Sequence, residues 1–175
     1  YYMTEGEEKT YSSSTSIYTG IASGFNVDMR QGEGDRFMVQ SIFENILTIM
    51  KSVDVKTEVS VKLMSQHLAM GDVDHDDKIC TKRSLIELHN LIPEDVRKKI
   101  TVVGNHTATY ERMMNFLHAE PENVIYRIIH SKRFIPHYSG HAINQLSYKR
   151  IKTSDLVRID FKSNDPGITY HTLRF

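Results

Sequence analysis

The sequence predicts an all-β fold, an antiparallel double-sheet sandwich with short helices in its loops. In residues 53–63 and 157–162, apolar and polar side chains alternate, which is typical of half-buried strands. Strand-like segments recur towards both ends of the chain, and no strand–helix–strand rhythm typical of a parallel sheet is seen. Two packed antiparallel sheets with decorated loops fit this distribution best.

The elements follow in chain order from a polar arm at residues 1–16, which precedes a single domain at residues 17–175. The apolar residues of 36–50 fit either a helix or a strand buried on both faces, and both interpretations stay open. Ser84 and Glu87 have capping-box spacing, so a short helix is expected at 84–90, with Ser84 as its N-cap. The other expected elements are a helix at 109–117 and strands at 53–63, 100–103, 124–130, 157–162 and 168–175.

Composition limits the classes of function. The chain has 175 residues, the size of one domain, and its formal net charge is zero. Any contact with nucleic acid is therefore expected to come from local patches of charge, or from a segment outside this sequence. Cys80 is the only cysteine, which excludes an intrachain disulfide. No apolar run reaches the length that spans a membrane, so no membrane association is expected.

An acidic loop is the main candidate for metal binding. Asp72, Asp74 and Asp76 are spaced like the start of a calcium loop, but an EF-hand needs glycine and glutamate where Asp77 and Arg83 stand. A looser structural Ca²⁺ site and a solvated acidic loop remain as alternatives.

No pattern predicts an enzyme. The nine histidines are scattered, and although His137 and His141 have the four-residue spacing of a zinc helix, Pro136 and Gly140 argue against a helix there. A lone cysteine such as Cys80 is more often inert than catalytic. The chain is therefore expected to have no catalytic residues and no cofactor other than the possible Ca²⁺.

Basic side chains cluster at Lys132–Arg133, at Lys149–Arg150 with Lys152, and at residues 97–99. Aromatic residues lie among the first two clusters. Cations that neutralise phosphates beside rings that stack on bases are typical of nucleic-acid binding, although an ordinary charged surface has the same composition.

Short motifs carry a resemblance to a known family. They are Gln-Gly-Glu-Gly-Asp-Arg-Phe-Met-Val-Gln-Ser-Ile at 31–42, the apolar segment 59–65, Tyr-Arg-Ile-Ile-His-Ser-Lys-Arg-Phe at 126–134, and Tyr-Lys-Arg-Ile at 148–151. In order and spacing they resemble the capsid proteins of small circular single-stranded DNA viruses, the group that includes circoviruses and geminiviruses.

The resemblance implies a single jelly roll that assembles with its own copies into a small icosahedral shell. The shell would package a nucleic-acid genome, with single-stranded DNA favoured, and the protein would reside in the virion and in the host cell during assembly. The residues expected to contact the genome are Arg36, Lys132, Arg133, Lys149, Arg150 and Lys152.

Other functions compete with the capsid protein. A non-enzymatic β-sandwich binding module would take carbohydrate or nucleic acid, but the chain has no tryptophan to stack on sugars. A jelly-roll enzyme would need histidine and glutamate converging from neighbouring strands, which the predicted strands do not offer. A nucleic-acid-binding protein that forms no shell could be distinguished from a capsid protein only by its state of assembly.

Overall fold

The computed structural model describes residues 9–21, 33–72, 74–120, 122–130, 147–150 and 155–175, with the backbone alone at 33–36 and 147–150. Within these residues the protein has seven helices and three strands. In chain order they are β1 (Tyr11–Tyr18), α1 (Glu33–Met50), α2 (Val53–Ala69), α3 (Lys82–Leu91), α4 (Glu94–Ile100), α5 (His106–Ala119), α6 (Val124–His130), β2 (Ser147–Arg150), β3 (Leu156–Ser163) and α7 (Pro166–Arg174).

This mostly helical architecture contradicts the predicted all-β jelly roll. The sheet has three antiparallel strands in the order β1-β3-β2, with β3 in the middle. None of the helices in the described residues is long and apolar enough to cross a bilayer.

The strand expected at 53–63 is part of helix α2. Ser52 caps this helix, and its hydroxyl accepts a hydrogen bond from the Val55 amide at 3.3 Å. From Val59 onward the helix is buried on almost every side, including Ser60 and Ser65. A helix enclosed in this way shows no single apolar stripe. The alternating valines therefore gave the sequence pattern of a strand, although the segment is helical.

Three other predicted strands are also wrong. Residues 124–130 form helix α6, and the predicted strand at 168–175 lies in helix α7 up to Arg174. Residues 101–103 follow the end of α4 without forming a strand. Tertiary packing and capping override the β-branched composition of α6. The Asn123 side chain accepts from the Tyr126 amide at 2.9 Å and donates to carbonyls that end α5, among them Phe116 at 2.9 Å.

Other predictions are confirmed. Residues 157–162 lie in β3 with the expected alternation, and residues 109–117 lie in α5. The helix expected at 84–90 is α3, but its N-cap is Thr81, which accepts from the Ser84 amide at 3.3 Å. The segment left open at 36–50 is helical. Residues 11–16, placed in the polar arm, pair with β3.

Two apolar clusters form the core. The larger lies around α2 and includes side chains from α3, α5, α6 and α7 together with Phe161 of β3. The smaller joins Phe43 of α1 to Val157 and Ile159 of β3. Helices thus cover one face of the sheet, because the side chains that β3 turns inward take part in both clusters.

A buried carboxylate joins the starts of two helices. Asp165, 1% exposed, is the N-cap of α7, and its Oδ1 accepts from the Ile168 amide at 3.1 Å. Its Oδ2 accepts from the amide and hydroxyl of Thr81, both at 2.8 Å, and from the Ser84 hydroxyl at 2.6 Å. Burial raises the pKa of Asp165, but the hydrogen bonds from Ser84, Thr81 and Ile168 outweigh burial and hold the pKa below its ordinary value.

The first turn of α7 also lies against the loop that precedes α3. A β-carbon added at Gly167 would collide with the backbone carbonyl of Ile79 and would lie only 2.8 Å from the backbone oxygen of Lys78. Glycine therefore allows this close approach, which brings Asp165 within reach of Thr81.

Candidate nucleic-acid interface

Strand β3 turns one face to the core and the other to solvent. Val157, Ile159 and Phe161 are buried, whereas Arg158 and Lys162 are exposed. Because side chains of a strand alternate between its two faces, both cations lie on the side opposite the helices.

Strand β1 adds hydroxyl groups to this outward surface. In antiparallel strands, directly paired residues project to the same face. The exposed serines of β1 are Ser12, paired with Lys162, Ser14, paired with Asp160, and Ser16, paired with Arg158. Tyr18 continues this series and is 65% exposed. We call the surface formed by Ser12, Ser14, Ser16, Tyr18, Arg158, Asp160 and Lys162 the open face.

Strand β2 lies on the other side of β3. The backbone register places Lys149 opposite Arg158 and Ser147 opposite Asp160. A third basic residue is therefore held next to the cations of the open face.

The single acidic residue of the open face is paired. Arg158 Nε lies 2.9 Å from Asp160 Oδ1, with 52% and 36% of the two side chains exposed. Ion pairs this accessible to water contribute little stability, so a phosphate could take the place of the carboxylate at low cost. Lys162 makes no ion pair with any side chain that the structure describes.

Of the six basic residues expected from the sequence to contact nucleic acid, the structure describes the backbone of three. Lys149 and Arg150 lie in β2 beside the open face. Arg36 lies in α1, the helix that packs against the opposite side of the sheet. Lys132, Arg133 and Lys152 fall outside the described residues.

The acidic loop distributes its carboxylates among separate partners. Asp76 accepts from the Lys82 amide at 2.8 Å, Asp74 pairs with the Lys82 ammonium, and Asp72 lies 3.7 Å from His89 Nδ1. In the described ranges, no three His, Cys, Asp or Glu side chains are grouped so that they could hold a metal ion. The Ca²⁺ site stays a prediction from the spacing alone.

A polar cleft of about 330 Å³ opens at the start of α3. Its lining combines the cations Lys9 and Arg83 with the carboxylates Asp76 and Glu87. Arg83 Nε lies 3.2 Å from Glu87 Oε1, so charges of opposite sign already compensate one another there. This balance makes the cleft a weaker candidate for an anionic polymer than the open face.

Cys80 directly precedes Thr81, the N-cap of α3, and is buried. Its Sγ is 3.9 Å from Met70 Sδ. Burial, reinforced by the negative charges of Asp165, Asp77 and Asp76, raises the pKa of the thiol to about 12. The thiolate is the reactive form of cysteine, so the environment of Cys80 suppresses nucleophilic chemistry.

We expect Cys80 in the folded protein not to react with a chromogenic disulfide reagent at pH 8. With a pKa of about 12, only about one thiol in ten thousand is ionised at that pH. One equivalent should react promptly once denaturant unfolds the chain. Rapid reaction of the native protein would contradict the burial of this side chain.

Sequence reasoning missed the residues that matter most here. The alternation of residues 157–162 predicts a strand, but by itself it gives Arg158 and Lys162 no role beyond the solvated side of that strand. The pairing of β1 with β3 could not be anticipated, because the two segments lie at opposite ends of the described chain.

Comparison of the chain with protein-family models, with curated proteins and with solved structures finds no match.

Proposed function

We propose that this protein is a non-enzymatic nucleic-acid-binding protein and that its open face takes a single strand. The observation that carries the proposal is the exposed pair Arg158 and Lys162 on the central strand, with Lys149 opposite Arg158 in the register. Cations in a row on a sheet can follow a phosphate backbone, and that electrostatic contribution provides most of the non-specific affinity.

The other side chains of the open face suit a single strand. The hydroxyls of Ser12, Ser14 and Ser16 are exposed and can donate to phosphate oxygens. Tyr18 presents an aromatic ring on which an unpaired base can stack. A base inside a duplex is already stacked on its neighbours, so a solvent-exposed sheet surface with an exposed ring favours single strands.

Fluorescence anisotropy with a labelled oligothymidylate tests the proposal. We expect Arg158→Ala/Lys162→Ala to weaken binding about a hundredfold, since each of the two charged hydrogen bonds contributes about 1.5 kcal/mol. With about three phosphate contacts, log K should fall against log salt with a slope of about −2. Tyr18→Ala should also weaken binding about tenfold, whereas Tyr18→Phe should not.

The matched control is Lys98→Ala/Lys99→Ala, which removes the same net charge from two exposed residues of α4. This variant should bind as the unmodified protein does. If it loses affinity while Arg158→Ala/Lys162→Ala does not, the open face is not the binding surface. Absence of oligonucleotide binding at low salt would refute the proposed function.

A coat protein is the second candidate. The predicted jelly roll no longer supports it, because the described residues form a mostly helical domain. The observation that favours assembly is the set of large apolar side chains exposed along α1, such as Phe37 and Ile49. Light scattering with negative-stain microscopy tests this candidate. Uniform particles carrying nuclease-protected nucleic acid would support it, and small species at every salt concentration would refute it.

A further inference from the structure

Asp160 lies between the two cations of the open face. Because side chains at every second residue of a strand face the same way, Arg158, Asp160 and Lys162 follow one another along the outward side of β3. Asp160 is therefore in the path of a strand whose phosphates bind the cations on either side. A carboxylate repels phosphate, so the part of the nucleotide that meets Asp160 must be another one.

The ion pair with Arg158 sets the spacing between the two cations. Arg158 Nε lies 2.9 Å from Asp160 Oδ1, so the guanidinium leans along β3 towards Lys162. It thus lies near the level of residue 160, which is two residues or about 7 Å from the level of Lys162. Adjacent phosphates of an extended strand are separated by roughly this length. Arg158 and Lys162 are therefore spaced for consecutive phosphates, with Asp160 beside the sugar that joins them.

Arg158 can hold a phosphate while it stays beside Asp160. Its guanidinium carries several N–H donors, and only the Nε–H is directed at the carboxylate. The terminal amino groups remain, and their fork matches the oxygens of a phosphate. The carboxylate can therefore stay next to the bound strand and contact it.

The second carboxylate oxygen of Asp160 is available as an acceptor. Asp160 Oδ2 receives no hydrogen bond from any side chain that the structure describes, and 36% of the side chain is exposed. An ionised carboxylate accepts hydrogen bonds and donates none, so its partner must be a donor. Ser14, which is paired with Asp160 on β1, is exposed and adds a hydroxyl at the same level. Between two phosphates, the open face thus offers groups that suit a hydroxyl on the sugar.

The sugar between two phosphates carries such a donor in RNA and lacks it in DNA. The ribose 2′-hydroxyl both donates and accepts, whereas deoxyribose has no hydroxyl at this position. Given that the open face binds a single strand, as proposed above, we propose that this strand is RNA and that Asp160 accepts a hydrogen bond from its 2′-hydroxyl. The carboxylate repels the phosphates of either polymer, and RNA offsets that repulsion with the hydrogen bond. Asp160 therefore distinguishes RNA from DNA.

Fluorescence anisotropy with labelled strands that differ in the sugar tests this proposal. The probes are oligouridylate, oligodeoxyuridylate and 2′-O-methyl oligouridylate, which share the base uracil. We expect oligouridylate to bind about tenfold more tightly than the other two, since it makes a hydrogen bond to a charged group that they lack. The methylated strand keeps the 2′-oxygen without its proton, so weak binding of this strand would assign the preference to the donated hydrogen bond.

Two substitutions at Asp160 separate its charge from its role as an acceptor. Asp160→Ala removes both, so RNA and DNA should bind with equal affinity, and DNA should bind more tightly than it does to the unmodified protein. Asp160→Asn removes the charge but keeps one acceptor oxygen, so DNA should again bind more tightly while a smaller preference for RNA remains. The matched control is Glu111→Ala, which removes an exposed carboxylate from helix α5 and should leave the preference for RNA unchanged.

Equal binding of oligouridylate and oligodeoxyuridylate by the unmodified protein would overturn the proposal and leave the proposed function standing. A preference for RNA that survives Asp160→Ala, or that extends to the methylated strand, would overturn the hydrogen bond to Asp160. Absence of binding to all three strands would refute the proposed function itself, and the role of Asp160 with it. Circular dichroism of each variant excludes unfolding as the cause.

Discussion

Asp165→Ala is expected to destabilise the folded protein by about 3 kcal/mol or more, because one carboxylate holds the starts of α3 and α7 together. The substitution removes the N-cap of α7 and leaves the Thr81 amide and the Ser84 hydroxyl without their acceptor. Urea unfolding followed by circular dichroism measures the loss. The midpoint of thermal unfolding should fall by about 6–12 °C.

Asp160→Ala is the control, because it removes a partly exposed carboxylate from the neighbouring strand β3. This change should cost less than about 1 kcal/mol. Equal losses in the two variants would contradict the special role of Asp165.

The lowered pKa of Asp165 also gives the effect a pH dependence. Its ionised form is favoured in the folded state, so its contribution is present above the ordinary pKa of 3.8 and is lost as the pH falls below it. The difference in stability between the unmodified protein and Asp165→Asn should therefore shrink when unfolding is measured below pH 4.

Gly167→Ala is expected to cost about 3 kcal/mol, although alanine is ordinarily the better residue in a helix. Its methyl group would collide with the backbone of Ile79, which cannot move aside as a flexible side chain could. Chemical denaturation measures the change. A variant as stable as the unmodified protein would show that α7 and the loop do not lie so close together.

Gly104→Ala separates this collision from the usual cost of replacing a glycine. Gly104 has a positive φ of 78°, but an added β-carbon would meet nothing within 4 Å. Only about 1 kcal/mol should be lost there. Because Gly167 and Asp165 secure the same contact between α7 and α3, the double variant Asp165→Ala/Gly167→Ala should lose less than the two single losses combined.

The parts of the fold that the sequence predicts correctly are those with one exposed and one buried side. Strand β3 alternates with a period of two, and the expected helix at 109–117 lies in α5. The errors fall where this contrast is missing. Helix α2 is buried nearly all round, so its valines read as a strand. Helix α6 is short and rich in isoleucine, and the Asn123 side chain that caps it outweighs the strand preference of those isoleucines.

The sequence at the start of α7 contains a local helix signal. Asp165 followed by Pro166 is an N-cap with proline at the first helical position, a combination that favours a helix over the predicted strand. By contrast, no local pattern shows that Asp165 also binds Thr81, the N-cap of α3, because that contact joins residues 84 positions apart.

The open face could be predicted only in part. Residue alternation already placed Arg158 and Lys162 on one side of a strand. Which strands would flank them depended on pairing between distant segments, and the periodicity of each segment contains no information on its partner. By sequence alone the serines of β1 are typical of a solvated arm, and only their register with β3 places them on the open face.

The pairing of β1 with β3 also determines when the sheet can form. Thr19 donates to the Asp155 carbonyl across 136 residues. Closing so long a loop costs entropy before the strands gain any bonding, and distant contacts of this kind slow folding. Helices α2 to α6 are consecutive and can pack while later residues are still on the ribosome. Strand β1 must wait for β3, and an uncharged strand without a partner is prone to join other chains. The interval between the synthesis of β1 and that of β3 is therefore when the nascent protein most needs chaperones.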